Sequence, residues 1–312
     1  MSSREITQTT PHSSYFLNLL SYHGVELAEL GDRVLQPLPG ESQLVLDWQS
    51  ERSQVQPLRV KRNHIALFAA SRLVLGEGQQ MIVRGPMAER VVLIVDEISV
   101  ADSTKLVFEA PTEVVVERLV SAGSSSSQFV SQGIDGAPGV EGVAGAPGAT
   151  GAEPNGPGGH GGAGGSGTNG QDGLDAPNVT FAVAELSGSI QFAVLPGRGG
   201  AGGNGGKGGQ GGRGGYGPNN SMGIGGTGGN GGPGGAGGAG GGGGTMQVYY
   251  HSIASNTQLT TETPIGQGGV GGEGGRPGIP GLGHPDGSLG YPGSNGSVGP
   301  QGTAGLVILT KV

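Results

Sequence analysis

Cysteine is absent from this 312-residue chain, which excludes disulfides and thiolate metal sites and is compatible with any redox compartment. Aromatic residues supply only 4% of the chain and charged residues 13%. Clustered Lys and Arg are missing too. The net charge is −8, the pI is about 5.2, and no basic patch invites nucleic acid or an anionic membrane. No apolar run approaches the ~20 residues of a membrane span, so membrane insertion is not expected. Met1–Pro11 is polar and reads as no secretory signal, so export is expected to use another route or to follow lysis.

Catalytic patterns are equally scarce. The six histidines (His12, His23, His64, His160, His251 and His284) are scattered without the spacing of a metal site. Gly-X-Gly-X-X-Gly recurs, but never between an apolar strand and an amphipathic helix, and Lys207 lacks the following Ser or Thr of a phosphate loop. No nucleophile and base can be paired from local motifs. The expectation is a protein that is not an enzyme and holds no metal or cofactor.

Glycine is what the chain has instead. Of 72 glycines, 65 fall between Gly133 and Gly305, a density far above the usual ~7%. Three β-rich segments punctuate this region: Thr112–Leu119, Val179–Leu186 and Met246–Ile253. Their last residues, Leu119, Leu186 and Ile253, stand 67 residues apart. Val91–Ile98 has the same shape, and Ile98 precedes Leu119 by 21. The unit is thus a rung of about 21 residues, and the 67-residue repeat is a rung plus a glycine-rich insertion. Alternation and β-branched content favour strands, and regular rungs favour a parallel β-solenoid, with a β-sandwich as the alternative.

Further strands are expected at Gln43–Trp48, His64–Phe68, Arg72–Leu75 and Gln80–Val83. A short Ser-capped helix over Ser13–Leu20 is expected to cover the solenoid end. The resulting division is 1–132 as an N-terminal β-rich solenoid domain with cap, and 133–305 as glycine arms. The arms (133–173, 197–244 and 266–305) are interleaved with rungs (178–196 and 245–265), and 306–312 is a terminal strand.

Within the insertions glycine keeps a period of three, as in Gly133, Gly136, Gly139 and onward to Gly151, and then from Gly158 to Gly173. Three residues per turn is the period of a polyproline-II helix. The expected fold class is therefore all-β plus polyglycine-II: a solenoid base bearing three hairpins of PPII-type helices, six arms in all. A flexible linker and a collagen triple helix are the alternatives for the same composition.

The Gly-X-Gly edges resemble the polyglycine-II bundles of T-even-type phage tail-fibre adhesins and of the springtail antifreeze protein. The rung-plus-arm layout resembles collagen-like bacterial surface proteins. The resemblance covers Gly133–Gly305, and it implies an extracellular, cell-surface or virion-borne structural protein. Departures are the short tips here and the lack of the disulfides that the antifreeze protein carries. The tips are the candidate contact sites: Glu153 and Asn155; Tyr216, Asn219, Asn220 and Ser221; His284 and Asp286; with Tyr291 nearby. The candidate assembly strand holds Leu306, Val307, Ile308, Leu309 and Val312, because an uncapped strand invites another subunit. The expected function is a self-assembling subunit of a fibre or surface layer whose partners are copies of itself. The alternatives are a receptor-binding adhesin at the tip of a phage tail fibre, contacting a cell-surface protein or glycan, and an ice-binding protein.

Overall fold

The computed structural model describes residues 12–47, 57, 59–61, 65–85, 90–122 and 126–312; Trp48 and His64, expected in strands, lie outside them. Fourteen strands among these residues make two sheets. The first, sheet A, contains β1 (Val34–Leu35), β3 (Arg59–Lys61), β4 (Ile65–Leu75), β6 (Arg90–Val100), β8 (Thr112–Ser121), β10 (Val179–Ser187), β12 (Thr245–Ile253) and β14 (Leu306–Lys311). Sheet B contains β2 (Gln43–Asp47), β5 (Gln80–Arg84), β7 (Lys105–Phe108), β9 (Ser127–Gln132), β11 (Ser189–Leu195) and β13 (Gln258–Glu262). From β4 onward the chain alternates between the sheets, one strand in each per coil, and only the β3–β4 pairing is antiparallel. This parallel β-structure is compatible with a β-solenoid. The 67-residue spacing is visible in the register: Ile98, Leu119, Leu186 and Ile253 form one column across β6, β8, β10 and β12. The segments expected at 64–68 and 72–75 belong to one strand, β4.

The core lies between the sheets. Val91, Leu93 and Val95 point inward from β6 and join the cluster containing Phe68, Phe108, Phe129, Phe181 and Phe192. The rings of Phe108, Phe129 and Phe192 each lie 5.6–5.7 Å from that of Phe181. On β6 the intervening Val92 and Ile94 are buried as well, so the run Val91–Val95 is apolar without alternation, as strands covered on both faces are. Their cover is α1 (Ser14–His23) with α2 (Leu27–Leu30). Phe16, Leu20, Val25 and Leu30 pack on Leu67, Ala69, Val92, Ile94, Val115 and Ala182. The helix expected as an end cap therefore lies along the outer face of sheet A. A face with an apolar stripe on four strands demands cover more than an end does.

Local chemistry fixes this strap. The Ser13 hydroxyl accepts from the Phe16 amide, capping α1, while Ser13 donates through its amide and hydroxyl to the two Glu117 oxygens, each at 2.8 Å. Gly24 (φ 65°) closes the helix in the left-handed region. At the same end His23 Nε2 donates to Glu113 Oε1 at 3.2 Å, and the Arg90 guanidinium reaches Glu113 Oε2 at 2.5 Å. The hydrogen bond from His23 holds the Glu113 carboxyl below its ordinary 4.5, aided by the charges of His23 and Arg90 and opposed by burial. A depressed carboxylate stabilises the fold above its unfolded pKa and loses that contribution as pH falls through the folded value. Glu113→Gln should therefore melt below the unaltered protein at pH 7, and the gap should close as pH drops under about 4.5. A gap independent of pH in thermal melts would refute the role given to this carboxylate.

The glycine-rich region corrects the expected fold class. Residues 133–178, 196–244 and 263–305 contain no strand beyond isolated bridges, and their one helical element is a single 3-10 turn at Pro218–Asn220. Hairpins of PPII-type helices, six arms in all, are not evident. Six segments without regular secondary structure (133–151, 156–176, 197–215, 223–244, 266–281 and 287–305) are instead cross-linked by backbone hydrogen bonds. The first donates to the third (Gly142 to Asn204, 2.8 Å), the third to the fifth (Gly205 to Glu273, 2.8 Å), the second to the fourth (Gly164 to Asn230, 2.8 Å) and the fourth to the sixth (Gly231 to Tyr291, 2.8 Å). Chain-adjacent segments are joined as well, as in Gly165 to Val143, Gly206 to Gly165, Gly232 to Gly206, Gly275 to Gly232 and Gly293 to Gly275, at 2.7–2.9 Å.

Two rows result. Segments one, three and five leave β9, β11 and β13 and prolong the stacking of sheet B; segments two, four and six enter β10, β12 and β14 and prolong that of sheet A. The period of three in the sequence marks where a backbone lies against its neighbours. A Cβ on Gly206 would overlap the carbonyl oxygen of Val143, and one on Gly232 that of Gly165. None of these segments' glycines has φ in the left-handed region, so glycine is required for closeness and not for backbone freedom.

Candidate functional site

Two surfaces stand out, the turns of the bundle and the last coil. At the far end of the bundle the three turns meet. Asn155 in the first turn donates its amide to the Tyr216 carbonyl at 3.2 Å, and the Ser221 hydroxyl lies 2.8 Å from Asn155 Oδ1. The second turn is closed by a bridge between Tyr216 and Met222, and the Arg213 guanidinium stacks over the Tyr216 ring at 4.5 Å. In the third turn Asp286 Oδ1 accepts from the Gly283 amide at 2.8 Å, while the His284 amide donates to the Gly223 carbonyl at 2.9 Å. The turns are thereby tied to one another.

Asn155, Asn219 and Asn220 adopt φ of 55°, 58° and 59°. Asn is the side-chain-bearing residue that best tolerates this region, so turn geometry explains these asparagines before any ligand does. Glu153, Asn155, Tyr216, Asn219, Asn220, Ser221, His284 and Asp286 are thus brought to one exposed end. Tyr291 is not. It lies back along the sixth segment, its amide bonded to Asn230 Oδ1 at 2.9 Å and its ring exposed.

Sequence reading missed a set of side chains that stitch the rows. Asn169, Asp172, Asp175 and Asn178 each accept, through Oδ1, the amide of the residue 67 positions on: Ala236, Ala239, Gly242 and Thr245. On the other row Asp135 and Asn204 likewise accept through Oδ1, from the amides of Arg198 and Glu273, 63 and 69 residues on. The signal was present as Asx residues in the triplets, but it becomes readable only when the repeat is laid side by side. At the elbow where sheet B runs into the bundle, a crevice of about 420 Å³ is lined by Lys105, Arg198, Asp135 and Glu262 among others. Its charges are balanced. Among the described residues no group of three or more His, Asp or Glu is placed to hold a metal ion, and no helix is long and apolar enough to cross a membrane.

The second surface is the last coil. β14 pairs in parallel with β12, Leu306 opposite Thr245 through Lys311 opposite Tyr250, and its other edge has no strand partner among the described residues. Val307 packs partly under the core beside Leu259 and Tyr250. Leu306, Ile308, Leu309 and Val312 are exposed, Leu309 at 38% although the register places it beneath buried Val248, and Ile253 and Ile265 add to the same end. The candidate assembly residues are therefore together on one open end.

No known family matches the chain, and no curated protein matches it. Among solved structures it is similar to the springtail antifreeze protein from Granisotoma rainieri, described as a nine polyproline type II helical bundle. Identity is 28% over 52% of this chain and 92% of that one, with a TM-score of 0.11.

Proposed function

We propose that the chain is a non-enzymatic structural subunit of an extracellular assembly that associates with copies of itself through its last coil. The observation that supports this reading is the unpaired edge of β14 with its exposed Leu306, Ile308 and Leu309. Bare strand edges carrying apolar side chains recruit further strands unless they are blunted, and β14 carries one charge, Lys311, at its end. The convergence of the three turns favours a second reading, in which that end contacts a receptor.

Both readings meet one experiment. The unaltered protein should form assemblies in sedimentation and negative-stain images, and deletion of Leu306–Val312 should return it to single chains. Single chains that bind cells through the turns would overturn self-association and favour the receptor reading.

A further inference from the structure

The two ends of the coil differ in kind. At the first coil the inward residues Leu35, Leu44, Leu46, Ala66 and Phe68 are all exposed by 2% or less, so the core there is already sealed. At the last coil the inward Leu309 is open, and sheet A runs one strand beyond sheet B, since β14 follows β13 and neither has a further strand beside it among the described residues. A filament needs two different complementary faces, whereas a closed pair needs one self-complementary face. Among the described residues β1 and β2 also end their sheets, but only the last coil ends with an open inward apolar side chain.

Resting on the self-association reading above, we infer that the copies meet end to end across a two-fold axis, β14 against β14, and stop at two. The lateral edges of the bundle argue against further growth through it. Pro277, Pro280 and Pro292 on the fifth and sixth segments have no amide to offer a neighbour, while Leu306–Lys311 contains no proline. In a two-fold pairing of antiparallel strands, residues facing the same side stand opposite one another. Pairing centred on Ile308 sets Val307 against Leu309 of the second copy, both turned to the core. Each Lys311 then faces Gly305 of the second copy instead of the other Lys311, which avoids a like-charge pair. Sheet A becomes continuous across the axis, and the two β14 strands satisfy each other's open edge.

The absence of cysteine makes the arrangement directly testable. Residue 308 meets its own copy only in the two-fold pair; in a head-to-tail array it meets a different residue. Opposed Cα atoms in such a ladder lie about 4.5–5.5 Å apart, within the range of roughly 4.4–6.8 Å that a disulfide spans. Under mild oxidation at about 10 μM, Ile308→Cys should give disulfide-linked pairs roughly 100-fold faster than Val143→Cys, an exposed site on the bundle. That is the advantage of a millimolar effective concentration within a pair over free encounter.

Light scattering on the unaltered protein is the companion measurement, expected to read twice the 30.7 kDa chain mass at all concentrations where association is complete. Growing species with no Ile308→Cys cross-link would overturn the two-fold inference and leave self-association standing. Single chains at every concentration, with both cysteine variants equally slow, would overturn both, leaving Lys311 as a guard that keeps the edge solitary.

Discussion

Gly206→Ala is expected to lower the melting temperature by roughly 6–12 °C. Gly206 sits in the middle of the third segment, where its amide donates to Gly165 at 2.8 Å and its Cα faces the Val143 carbonyl. A methyl group there overlaps that carbonyl oxygen, and both partners are backbone, so no side chain can swing aside. The segments must separate, stretching the bonds on either side. Overpacking of about 1–3 kcal/mol together with a weakened buried hydrogen bond of about 1–3 kcal/mol gives a loss near 3 kcal/mol or more. At about 2–4 °C per kcal/mol for a chain of this order, the shift is easily resolved by calorimetry. The adjacent Lys207→Ala, whose side chain is exposed, should stay within about 0.5 kcal/mol of the unaltered protein. Equal melting of the two variants would show that the close approach of the segments does not hold the bundle.

Phe181→Ala is the second large effect, and it strikes the base. Phe181 is fully buried on β10, and its ring meets Phe108, Phe129 and Phe192 from sheet B. Truncation removes the hub of that cluster and leaves a cavity that two stacked sheets cannot collapse into. A cost of about 3–5 kcal/mol is expected from denaturant titration. Because β10 receives the second segment and leads through β11 to the third, the loss should cooperatively weaken the bundle's attachment. A cost under about 1 kcal/mol would mean that the aromatic cluster is not the core's centre.

The register of the coils was legible in the chain because a fixed interval of 67 puts Leu119, Leu186 and Ile253 in one column, and parallel stacking translates interval into adjacency. The rhythm of the glycines was legible for a similar reason. Reading it as a helical hairpin went wrong because a period of three in one chain says nothing about how many neighbours it has. Gly142 bonding to Asn204, 62 residues away, follows from how coils stack. The placement of α1 was likewise hidden. Phe16 and Leu20 declare an apolar face, but only the folded sheet reveals that Val92 and Ile94 are waiting for it. Of the turns, the sequence identifies the residues, whereas their joining through Asn155 and Ser221 depends on the segments having equal reach.

The continuity between rows and sheets has a mechanical meaning. Force applied to the turns runs along segments whose cross-links lie across the line of pull, so the bonds of a whole segment share the load in shear and cannot be opened one after another. Each returning segment passes that load straight into a strand of sheet A. A contact made at the turns would thus be felt as a displacement of the β-coil, with no soft joint between them.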